Sequence, residues 1–180
     1  GIHDRFVTAL SEAMAAMKVG NALEDGIQMG PVVDERQLQQ NLSYIDIAAQ
    51  DGGKVSGGER LNRATEGFYM APALVTETDN SMRINREEVF GPIASVIRVG
   101  GYDEALQVAN DTAFGLSAGI CSTSLKHASH FRQNARAGMV MVNLPTAGVD
   151  YHVPFGGTKG SSFGPRKQGR YAAEFYTTAK

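Results

Sequence analysis

A single cysteine, Cys121, occurs in 180 residues, which excludes an internal disulfide. A chain with no disulfide framework is expected in the cytoplasm. Long apolar runs are missing too: 42% of the residues are hydrophobic, yet no stretch approaches the roughly 20 consecutive apolar residues of a membrane-spanning helix. Neither charge sign dominates, with 17 Lys+Arg against 19 Asp+Glu and a net charge of −2. That balance points away from nucleic acid and from anionic membranes, and towards a small-molecule substrate. The opening stretch is not expected to be a signal peptide either, because Ile2, Phe6, Leu10, Met14 and Met17 set a helical stripe with no charged and then apolar leader before it. Opening on Gly1 rather than Met fits a chain cut from something longer, and equally a processed or tag-cleaved terminus.

What is present suffices for one sizeable core, with one domain as the default. The first stripe predicts a helix to about Met17 that Gly20 ends. A second helix begins at Asp34, with Asp34 and Gln37 spaced as in a capping box and Leu38, Leu42, Ile45 and Ala49 along one face. Between Ile93 and Asn143 the period alternates: strand Ile93–Val99, helix Asp103–Asp111, strand Ser117–Cys121, helix Leu125–Ala135, strand Met139–Val142. The last strand is apolar at every position, as a strand covered on both faces would be. The fold class expected is therefore α/β, a partial doubly wound parallel sheet with flanking helices.

After that strand, Leu144–Gly169 is rich in Gly and Pro and lies where α/β folds place ligands, beyond the strand's carboxyl end. So long a loop is either functional or a surface connection. Upstream, Glu87-Glu88-Val89-Phe90-Gly91-Pro92 sets two acids and an aromatic before a Gly-Pro turn. Such acids are often merely solvated, but a carboxylate held there could accept both hydroxyls of a vicinal diol such as a ribose.

Three other signals are weaker. Cys121 sits in a predicted strand without an adjacent base and reads as a buried, inert thiol. His127 and His130 are three apart on a helix with no further ligand at metal-binding spacing, so they read as solvated, and no metal is expected. Gly156–Ser162 has the glycines of a phosphate loop without its Gly-Lys-Ser/Thr order, and reads as a turn.

Taken in order, Lys18-Val19-Gly20, Gly30-Pro31, Glu87–Pro92, Ala109-Asn110-Asp111-Thr112 with Phe114-Gly115-Leu116, Gly138–Asn143 and Pro154-Phe155-Gly156-Gly157 with Lys159 resemble the aldehyde dehydrogenase superfamily over essentially the whole chain. The part resembled is the C-terminal portion of the catalytic domain, residues 1–180. The resemblance implies oxidation of an aldehyde to a carboxylate with NAD or NADP, by way of a cysteine thioester and a glutamate base. It places that cysteine, that base and the pyrophosphate-binding turn upstream of the segment matching Gly1, so the chain by itself is expected to be inactive.

By position, Glu88 matches the glutamate that binds the nicotinamide ribose and Phe90 the aromatic behind the nicotinamide, with Glu87 facing solvent. Phe155 matches a wall of the aldehyde tunnel, Val149 falls near another lining position, and Asn143 looks structural. The tail from Ser161 to Tyr176 resembles the branch acting on 2-oxoglutarate semialdehyde (2,5-dioxopentanoate). In the family a strand that pairs with a neighbouring subunit follows directly, which implies a homo-oligomeric parent. The competing reading is a non-catalytic α/β module that binds a partner through apolar faces.

Overall fold

The computed structural model describes residues 1–178 and 180 and forms two compact units, Gly1–Arg98 and Val99–Lys180. The first unit opens with α1 (His3–Ala15). Steps of four residues drift by about 40° each around a helix of 3.6 residues per turn, so the row begun by Ile2 cannot hold one contact. The helix turns Val7, Leu10 and Met14 inward instead, and leaves Ile2 and Phe6 exposed. It also ends before Gly20, and Val19 then bridges Met29 in parallel.

Helix α2 (Glu35–Gln50) starts where its cap predicts, the Asp34 carboxylate accepting from the Gln37 backbone N–H at 2.7 Å. The return arm of a capping box is not made, because the Gln37 side chain is engaged elsewhere. Its buried face also differs from the predicted one: Leu38, Asn41 and Ala48 are fully buried, Leu42 and Ile45 half-buried, and Ala49 exposed. A polar residue thus takes a core position, which is tolerable only because its amide is hydrogen-bonded.

Four strands follow that the sequence did not announce: β1 (Lys54–Gly57), β2 (Arg60–Leu61), β3 (Tyr69–Met70) and β4 (Ala73–Thr78). β2 and β3 pair antiparallel. β4 is the middle of a three-stranded sheet, antiparallel to β1 and parallel to β5 (Ile93–Ile97). Its Ala73, Leu74 and Val75 are all buried, and it touches both α1 and α2. Val75, Ala48 and Ile84 of the single-turn helix α3 (Arg83–Arg86) form a core against which Tyr44, Val55, Met82, Val89 and Ile93 pack.

The second unit matches its predicted elements to within one residue at nearly every end: α4 (Tyr102–Asn110), β6 (Ser117–Ile120), α5 (Leu125–Asn134) and β7 (Met139–Val142). β6 and β7 pair in parallel, Ser117 opposite Met139. In this two-stranded ladder only Met139 of β7 is buried, and Val140, Met141 and Val142 are half-buried. Cys121 lies just past the end of β6 and is exposed, which corrects the buried-thiol expectation. His127 stacks on the Tyr102 ring at 4.4 Å, and His130 Nδ1 lies 2.8 Å from the Tyr102 hydroxyl. Neither is simply solvated, and no metal-holding group of acids, histidines or cysteine occurs among the described residues. A short α6 (Ala172–Tyr176) closes the unit.

Candidate functional site

The Glu87–Pro92 segment joins α3 to β5 and is held by α2. Glu87 ends α3 with extended dihedrals (φ −116°, ψ 155°). Val89 packs against the core. Glu87 is exposed yet fully engaged: the Tyr44 hydroxyl donates to Oε2 at 2.5 Å and Arg83 Nε donates to both carboxylate oxygens at 2.9 Å. The Tyr44 hydrogen bond and then Arg83 hold its carboxyl below the ordinary glutamate value. The same contact raises the Tyr44 phenol.

The backbone is fixed from the same helix. Gln37 Nε2 and Gln40 Nε2 both donate to the Val89 carbonyl, at 3.1 and 3.2 Å. Gln37 Nε2 also donates to Asn41 Oδ1 at 2.8 Å, and Asn41 Nδ2 reaches Met70 Sδ at 3.4 Å. Gly91 lies so near Asn41 that a Cβ there would be 2.5 Å from the amide.

Glu88 emerges from this clamp exposed, with no hydrogen bond or ion pair to another described residue. Phe90 stands two residues on at φ +55°, 75% exposed. A large residue in the left-handed region costs about 1–3 kcal/mol and persists where its surroundings enforce it. The clamp enforces it here, two residues from a carboxylate whose acceptor sites are open; hydroxyl groups could donate to the carboxylate and a flat ring could stack on the Phe90 face.

In the second unit, the loop after β7 divides in two. Val149, half-buried, belongs to the part leaving the carboxyl end of the strand. β7 is only about 13 Å long at 3.3 Å per residue, so the loop can run back to the other end, which sequence reasoning did not foresee. There the Thr158 and Gly138 amides both donate to the Gly115 carbonyl at 2.9 Å, and the Gly156 carbonyl crosses so close that a Cβ on Gly138 would meet it at 2.0 Å.

Lys159 Nζ donates to the carbonyls of Asn110 and Thr112 beyond α4, at 2.9 and 3.1 Å, so this glycine-rich turn uses its lysine to cap a helix. Phe155, half-buried, is fixed by paired backbone bonds with Lys167 at 2.7 and 2.9 Å. Asn143 (φ +56°) clasps Ser122 through both side-chain atoms, at 2.8 and 3.0 Å, and is structural.

Glu88 and Phe90 are thus brought together in the first unit, and Val149 and Phe155 lie on one loop of the second. Sequence reasoning missed Gln37, Asn41 and Tyr44. Their spacing of four and three residues, polar and aromatic along a half-apolar helix, was the available signal.

A model of the aldehyde dehydrogenase family matches residues 1–180. Among curated proteins, the chain is 42% identical to the alpha-ketoglutarate semialdehyde dehydrogenase of Haloferax volcanii, over 99% of this chain and 38% of that protein. It is 38% identical to the alpha-ketoglutaric semialdehyde dehydrogenase of Bacillus subtilis, over 100% of this chain and 38% of that protein. The chain therefore spans 38% of the length of these relatives. Among solved structures, an indole-3-acetaldehyde dehydrogenase of P. syringae in complex with NAD+ and IAA superimposes with a TM-score of 0.92 at 37% identity, over 99% of this chain and 36% of that one. A betaine aldehyde dehydrogenase of Staphylococcus aureus in complex with NAD+ gives 0.91 at 31% identity, over 97% and 35%.

Proposed function

Because the chain belongs to the aldehyde dehydrogenase family, we propose that residues 1–180 form the C-terminal portion of the catalytic domain of an NAD(P)-dependent enzyme that oxidises an aldehyde to a carboxylate. The observation that carries this reading is the pairing of an unengaged carboxylate, Glu88, with the exposed ring of Phe90 on a clamped, strained turn. Glu88 accepts the hydroxyls of the nicotinamide ribose, and Phe90 backs the nicotinamide face. When bound, NAD(P)+ supplies the two-electron acceptor. Phe155 and Val149 line the aldehyde's approach, and the attacking cysteine and the base come from outside these residues.

The substrate proposed is alpha-ketoglutarate semialdehyde, supported by the names of two relatives and by the Ser161–Tyr176 tail. Relatives that are enzymes do not favour the non-catalytic module. No helix among the described residues is long and apolar enough to cross a membrane. The parent proposed is cytoplasmic and homo-oligomeric and acts on small molecules rather than on nucleic acid, a reading supported by the solitary cysteine and the balanced charge for compartment and substrate class and by the family resemblance for the oligomer.

Initial rates of NADH or NADPH appearance, measured on the protein that carries this chain, test the proposal. Preference for alpha-ketoglutarate semialdehyde over simple aliphatic aldehydes supports it. Turnover of the latter alone removes the substrate assignment, and no turnover on any aldehyde removes the enzyme reading.

A further inference from the structure

Glu87 was expected to face solvent, and it is exposed, yet its carboxylate is engaged. Two anchors on different elements converge on its carboxylate, Tyr44 from α2 and Arg83 from α3, and the Arg83 guanidinium also lies 5.5 Å from the centre of the Tyr44 ring. A solvated surface acid has no need of a phenol and a guanidinium at once. One residue on, Glu88 is exposed, and no hydrogen bond or ion pair joins it to another described residue. Two residues on, Val89 is held inward by the core and by Gln37 and Gln40 on its carbonyl. The peptide bearing Glu88 is thus gripped from both sides.

We propose that Glu87, anchored by Tyr44 and Arg83, is a positioning residue that orients the neighbouring Glu88 carboxylate for the cofactor ribose. The inference rests on the assignment of Glu88 above and assigns Glu87 a role through geometry alone. Arg83 balances the charge of Glu87 at the same time. Only Glu88 then remains open to a diol. Releasing Glu87 restores rotamer freedom to the Glu87–Glu88 pair, and ordering it again on binding weakens the cofactor by about 3- to 10-fold.

The test is calorimetric titration of NAD+ and NADP+ into the protein carrying this chain, in Tyr44→Phe, Glu87→Ala and Glu87→Gln variants, each also made in a Glu88→Gln background. The expected result is a dissociation constant raised by Tyr44→Phe and Glu87→Ala, partly restored in Glu87→Gln, and unaffected by either change once Glu88 is already Gln. A role confined to stability would persist in that background, and persistence overturns the inference. So does an unchanged constant in Tyr44→Phe and Glu87→Ala when Glu88→Gln alone weakens binding. If Glu88→Gln leaves affinity unchanged, the ribose assignment itself falls and takes the positioning role with it. Should Glu87→Ala fail to fold, the near-isosteric Tyr44→Phe decides.

Discussion

Replacing Gly91 with alanine tests whether the Glu87–Pro92 turn is shaped by space rather than by backbone freedom. Gly91 is not among the glycines with positive φ, so its backbone suits any residue. The obstacle is Asn41. A Cβ on Gly91 would lie 2.5 Å from Cγ, Nδ2 and Oδ1 of that amide, about 1 Å inside ordinary contact. Asn41 is fully buried and tied to Gln37 and Met70, so it cannot swing away without breaking hydrogen bonds in the core. Overpacking of this kind costs about 1–3 kcal/mol, and a buried amide left without partners about 1–3 more, giving about 2–6 kcal/mol for Gly91→Ala.

Native-state hydrogen exchange of the α2 amides reads this directly. At about 1.4 kcal/mol per tenfold, protection should fall by at least about 30-fold. Asn41→Ala in the same chain makes room for the methyl, so the double variant should lose less than the two single losses added, by at least about 1 kcal/mol. Wild-type protection in Gly91→Ala, or strict additivity in the pair, refutes the argument from space.

Acid should loosen α1 through Asp4, whose carboxyl is lowered from 3.8 to about 2, first by the His3 hydrogen bond and then by Arg98. A depressed carboxyl stabilises the fold above its ordinary value, so α1 exchange protection should drop as pH falls from 3.8 towards 2, and Asp4→Asn should abolish that dependence. At Asn143, both Asn143→Gly and Asn143→Ala lose the Ser122 clasp, but only alanine is strained at φ +56°. Thermal melting should therefore place the alanine variant about 1 kcal/mol below the glycine one. Gly138→Ala should be worse than Gly91→Ala, because the atom met at 2.0 Å is the Gly156 backbone carbonyl rather than a side chain. Its readout is loss of cooperative melting or, where the protein survives, a raised KM for aldehyde as the neighbouring Phe155 shifts.

The second unit was legible because its signals are local. α4 and α5 carry helical periods bounded by Asp111, Ser124 and Ala135, and β7 is a short apolar run too brief for a helix. The first unit was less so, for two reasons. β1 to β4 are short, and β4 is buried along Ala73, Leu74 and Val75, so it has no alternation to detect. On α1 and α2 the apolar residues exceed those that one contact face can hold, and the sequence does not say which row is chosen. Val7 over Phe6, and Asn41 over Leu42, are decisions made by the partner surface.

The site divides along the same line. Glu88, Phe90 and Phe155 are named by their match to motifs of the family resembled, and Val149 by its nearness to one, whereas their supports are not. Gln37 reads locally as half of a capping box, yet its amide crosses 52 positions of sequence to the Val89 carbonyl. Glu87 and Glu88 are chemically identical neighbours, and only the contacts of Tyr44 and Arg83 with the first tell the two apart. Motifs therefore reveal groups meant for a ligand, because the ligand's chemistry restricts their type. Positioning groups are restricted by distance, which a linear sequence does not carry, and the same acid can serve either purpose.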